Sequence, residues 1–152
     1  MPIKFTTLRE EIDSEIQKQI QRFNQAVIRT LGYIGETCVK EARLKGSYQD
    51  QTYNLRSSTG YVIVRNGEIL RKGGFEEAGK AGITGEKGCV DGLSYAKHLA
   101  LIQPAGFALV VVAGMAYAKY VSDKGYDVLD SAENIANSMS KRLLKQLEDL
   151  WD

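Results

Sequence analysis

Histidine, cysteine, proline and tryptophan are all scarce in this chain, with one His, two Cys, two Pro and one Trp among 152 residues. A structural zinc site takes about four soft ligands, and Cys38, Cys89 and His98 are too few to supply them. Both cysteines are expected to be buried and reduced, packed as small hydrophobes. Charge of one sign is lacking too: 20 Lys and Arg stand against 19 Asp and Glu, a formal net charge of +1. With no basic run to follow a phosphate backbone, nucleic acid is not the default partner.

The N-terminal MPIKFTTLREE has charges where a secretory signal would carry an apolar stretch, so a cytosolic protein is expected. One stretch is long and free of charge, Leu99 to Ala118, LALIQPAGFALVVVAGMAYA. Pro104 and Gly106 interrupt it, and Gln103 and Gly114 dilute it. It reads as a helix end followed by a buried strand, with a membrane-active protein using residues 99–118 as the lesser alternative and no membrane partner expected.

Length and an apolar fraction of 43% suit one domain with its own core, residues 1–152. A Thr7/Glu10 capping box opens an apolar stripe through Leu8, Ile12, Ile16, Ile20, Phe23, Val27, Leu31, Ile34 and Cys38, the spacing of one long helix. Gly32 and Gly35 are positions for a kink or break, and Gly46 is a left-handed C′ residue. A polar connector with one helical turn leads to Asn66-Gly67, the dipeptide of a type I′ hairpin between Tyr61–Arg65 and Glu68–Lys72. In that register Arg65 faces Glu68, Val64 faces Ile69 and Ile63 faces Leu70.

Residues 73–92 hold seven of the 15 glycines and predict a long loop, mobile or ordered by a partner. Leu93–Gln103 follows as a helix, Phe107–Ala113 as a central strand, Tyr117–Lys124 as a short helix, and Tyr126–Leu129 as a further edge strand. Asp130 and Glu133 cap a last helix whose stripe is Ile135, Met139, Leu143, Leu147 and Leu150. The fold class expected is α+β, the first and last helices packed on a small antiparallel sheet that contains the hairpin.

Two motifs invite a chemical reading. Gly74 to Ala81, G-F-E-E-A-G-K-A, is one hydroxyl short of a phosphate loop, and the glycines after it argue against the helix that a phosphate needs. Gly92-Leu93-Ser94-Tyr95-Ala96 imitates a nucleophile elbow with His98 beside it, but an elbow follows a strand and takes its histidine from a distant loop. No acid, base and nucleophile fall together, and no catalytic residue, cofactor or metal is assigned. A small cytosolic phosphate-binding or hydrolytic enzyme with a site at 74–98 is the alternative function.

The stretches TYNLRSSTGYVIV and VVVAGMAYAKYVSDKGYDVL, set between two amphipathic helices, resemble the neck and tail-completion proteins of tailed bacteriophages, the minor tail component family. Asn54, Leu55, Arg56 and Ser58 match the family's connector, and Tyr117, Ala118, Tyr120, Val121 and Gly125 match its tyrosine segment; Ser122 stands where the family has Glu. The resemblance implies a structural virion protein without enzymatic activity, made in the host cytoplasm and built into the neck or tail. It implies a ring, typically of six copies, between the head connector and the tail tube or its terminator. Under that reading the partner-interface residues are Phe75, Lys80, Ile83 and Lys87 of the glycine-rich segment, with Tyr117 and Tyr120. Deleting residues 76–86 is then expected to spare folding and abolish assembly.

Overall fold

A computed structural model of the chain describes residues 6–150. α1 (Thr6–Lys45) is a single helix of 40 residues. The capping box rests on the Thr7 side chain, which lies outside the described residues. Gly32 and Gly35 do not break the helix. Their smallness admits the sheet: a Cβ on Gly35 would stand 2.6 Å from Cδ2 of Tyr61, so that ring lies directly on the helix backbone. Gly46 is not left-handed, contrary to expectation. The terminal carbonyls are met instead by Arg56, whose guanidinium donates to the Arg43 carbonyl and, at 3.3 Å, to that of Gly46.

β1 (Thr59–Arg65), β2 (Glu68–Gly74) and β3 (Phe107–Ala113) form an antiparallel sheet in the order β2-β1-β3. The central strand is therefore β1, and the apolar run FALVVVA, expected at the centre, is an edge. Both β1 and β3 are covered on their faces, so apolar content alone did not separate them. Asn66 at φ 53° and Gly67 at φ 84° make the expected turn. Arg65 faces Glu68 and Val64 faces Ile69 as the sequence predicts, but Ile63 faces Arg71. A bulge adds Leu70 as the extra residue and leaves it exposed.

Alternate β1 side chains part to opposite faces. Val62 and Val64, with Val112, pack on Ala96 and Ala100 of α3 (Glu86–Leu101). Tyr61 and Ile63 pack on Val39, Ile28 and Leu31 of α1. α5 (Asp130–Asp149) lies against α1 through Ala132 and Met139, which meet Ile34, Cys38 and Ala42. Two short helices, α2 (Asn54–Ser57) and α4 (Ala118–Asp123), sit at one end of these layers. The architecture is α+β, with a long N-terminal and a C-terminal helix around a small antiparallel sheet.

Three local expectations are corrected. Asp130 and Glu133 lie in the first turn of α5, but neither caps it; Ser131 N donates to Asp127 Oδ1 at 3.2 Å and Ser131 Oγ to Asp127 Oδ2. Residues 126–129 form no strand, because they supply that cap and bury Val128. The glycine-rich segment is not one long loop: 73–74 end β2, and α3 already runs from Glu86. Gly88 is tolerated in the helix because α3 meets backbone there, a Cβ on it falling 2.0 Å from the Asn54 carbonyl oxygen.

Candidate functional site: a tyrosine cleft and an open sheet edge

The loop that remains, 75–85, is held by its own chain. Lys80 and Ile83 exchange backbone hydrogen bonds at 3.0 Å, Gly79 N donates to the Thr84 carbonyl at 3.0 Å, and Ala78 N donates to Ser57 Oγ at 2.8 Å. A deletion of 76–86 would thus strip Ser57 of its partners, and the surface that can be altered without this is the tip, Lys80–Ile83. Phe75 is partly buried. Its ring sits over Gly60, where a Cβ would come within 2.5 Å, and packs on the layer between β1 and α3.

Strand, loop and helix do follow one another here, as a phosphate loop requires, which corrects the expectation that no helix would begin. The helix start is unsuited to an anion all the same. Glu86 lies in its first turn, and the Gly88 N–H is engaged by Gly85 O at 2.9 Å and Asn54 Oδ1 at 3.2 Å. Lys80 lies in a turn tip six residues before the helix. Ser94 and His98 both lie exposed on α3, so the elbow imitation has no strand before it. Among the described residues no three of His, Cys, Asp and Glu gather as a metal-binding group, and no helix is long and apolar enough to cross a membrane.

Lys87, Tyr117 and Tyr120 are brought together. The connector and the tyrosine segment pack on one another through a shared core, in which Leu55 meets Met115, Ala118 and Val128 beside Tyr48. With Ala118 turned inward, the exposed Tyr117 and Tyr120 flank a cleft of about 560 Å³ whose other wall is the connector from Tyr48 to Leu55, with Lys87 at its side. Aromatic rings with polar tips around a half-open cleft are the composition of a protein-contact surface. Lys124 Nζ lies 5.0 Å from the Tyr120 ring centre, adding a cation to its face.

The connector wall of this cleft is braced from behind by Arg56. Arg56 Nε donates to Asp50 Oδ2 at 2.8 Å, and the guanidinium stacks on Tyr48 at 4.8 Å while it holds the end of α1. Burial pushes the Tyr48 phenol upward, although Arg56 opposes this, so the ring stays protonated at neutral pH. Sequence reasoning missed Arg56 as the organiser of this corner. Its only sign was a cation in the connector motif, and its partners Asp50, Arg43 and Gly46 lie up to 13 residues away.

A second surface was not expected at all. Among the described residues β3 has no strand on its outer side. Between Phe107 and Ala113 it carries no charge and no proline, whereas the opposite edge, β2, carries Glu68, Arg71, Lys72 and the bulge at Leu70. Charges and bulges on edge strands prevent pairing with other chains, so one edge is guarded and the other is not. Two apolar hollows flank the unguarded edge: one of about 460 Å³ between Tyr95, Leu99 and Val111 to Met115, another of about 330 Å³ between Leu109, Val111, Leu129 and Ala136. A strand added to β3 would find a place for side chains on either face.

Cys89 is separate from both surfaces, while Cys38 lies at the base of the smaller hollow beside β3. Cys38 is buried with Sγ 3.6 Å from the Ala132 carbonyl, while Cys89 is only half-buried, and burial raises both thiols above their usual range. Raised thiols are poor nucleophiles. No protein-family model, curated protein or solved structure matches the chain.

Proposed function

We propose that this chain is a structural protein of a tailed-phage neck or tail, assembling as a ring between the head connector and the tail tube. The unguarded β3 edge carries this reading. A strand so apolar, lying open between two hollows, is a hazard in a protein that stays alone and a joint in one that works beside neighbours. The tyrosine cleft adds a second contact surface, built where the two stretches that resemble the neck family meet.

In a ring each subunit offers one surface and receives another, which is how a contact between unlike patches closes on itself. The open edge and the cleft are such unlike patches. Lys80 and Ile83, exposed at the tip of the 75–85 turn, and Lys87 extend the contact beyond the cleft. The partners are other copies of the chain and the virion proteins above and below it.

Mass spectrometry of purified tailed particles from the source tests the proposal. Recovery of the chain at a few copies per particle is expected. Its absence from particles would overturn the proposal and direct ligand assays to residues 74–98.

A further inference from the structure

The apolar stripe of α1 runs past every described element that packs on it. Val27, Ile34 and Cys38 are buried, yet every residue from Leu8 to Lys18 is exposed. Within that exposed stretch and just beyond it, Leu8, Ile12, Ile16 and Ile20 recur every four residues, each 45 to 52% exposed. The arm extends about 20 Å at 1.5 Å per residue. Helices in proteins are stabilised chiefly by packing of an amphipathic face, and an unpacked one of this length is marginal in water.

Charge shows what covers the stripe. Glu10, Glu11, Asp13 and Glu15 make the first part of the arm acidic, with Arg9 as its one base, and Lys18 and Arg22 occupy the next part with no acid. The ion pairs of the described residues involve none of these. A helix laid parallel to an identical one would set acid against acid and base against base. Laid antiparallel, the acidic segment of each faces the basic segment of the other, and the apolar residues still meet. A membrane surface would have to take four carboxylates toward anionic headgroups.

We propose that residues 8–22 pair antiparallel with the same arm of a second copy, about a two-fold axis near Ile16. Ile16 then meets its own counterpart, and Ile12 of each copy meets Ile20 of the other. This pairing does not depend on the neck reading. A two-fold dimer can form in solution whether or not the chain enters particles, and particle composition tests that separately.

Sedimentation of the purified full chain reads the outcome. The dimer mass is expected for the native chain, and half that mass for Ile12→Glu/Ile20→Glu, which should still fold cooperatively because both sites are exposed in the single chain. In a Cys89→Ser background, Ile16→Cys should form a covalent dimer on oxidation while Leu8→Cys should not, since position 8 lies far from its own copy. A native chain that sediments as a monomer, a dimer that survives the double Glu variant, or crosslinking through Leu8→Cys as readily as through Ile16→Cys would overturn the proposal.

Discussion

Tyr61 lies flat against Gly35, and its hydroxyl reaches past that glycine to donate a 2.8 Å hydrogen bond to Glu36 Oε1. The contact joins the central strand to the long helix at the point where the sequence had suggested the helix would fail. A residue that weakens a helix on propensity is here the one that lets the sheet close on it.

Gly35→Ala therefore has the opposite effect from the usual one. Alanine for glycine in a helix gains about 1 kcal/mol where nothing obstructs it, but here the new methyl meets a buried ring at 2.6 Å. A net loss of about 1 to 3 kcal/mol is expected from overpacking. Urea unfolding measures it, and a more stable variant would contradict the contact.

The same tyrosine makes a pH prediction. Burial, then the hydrogen bond to Glu36, raise its phenol from 10.0 to about 12. The folded state thus binds the proton more tightly than the unfolded one, so this contribution is complete below pH 10 and is lost as pH rises toward 12. Thermal melts across that window should fall more steeply for the native chain than for Tyr61→Phe. Equal slopes would count against it.

For α5, Asp127→Ala should cost about 1 kcal/mol, the usual net value of a hydrogen bond such as the one it accepts from the first-turn Ser131 N–H, whereas Asp130→Ala should cost a few tenths through the helix dipole alone. Paired thermal melts give the ranking. The reverse order would return the cap to Asp130.

The contact surface predicts a separation of folding from assembly. Tyr117→Ala/Tyr120→Ala, and Lys80→Ala/Ile83→Ala at the turn tip, alter exposed side chains and should leave stability within about 0.5 kcal/mol. Incorporation into particles, read by complementation and blotting, should drop severalfold in each. Undiminished incorporation would remove these residues from the interface.

How much of this was legible in the sequence depended on whether the deciding contact was local. Asn66-Gly67 fixes its turn through its own backbone angles, and the stripes of both terminal helices need only a periodicity, so those elements stand close to where they were expected. The place of β3 was not legible, because an apolar run records coverage of its faces and says nothing of which strand lies beside it. The start of α3 was hidden for a related reason. Gly88 reads as a helix breaker until Asn54, 34 residues earlier, is seen against it.

The candidate site divides in the same way. Tyr117, Tyr120 and Lys87 were singled out from the sequence and share a cleft, while Phe75, singled out with them, lies apart from that cleft and packs partly buried against Gly60. The open edge of β3 could not have been found without strand order. Arg56, likewise, acquires its role only when the end of α1 and Asp50 are folded around it.

Electron microscopy of purified particles labelled with an antibody to this chain tests the central claim most directly. Label confined to the junction of head and tail is the expected result. Label on capsid or fibres, or unlabelled particles beside a chain found free in the lysate, would contradict a place in the neck.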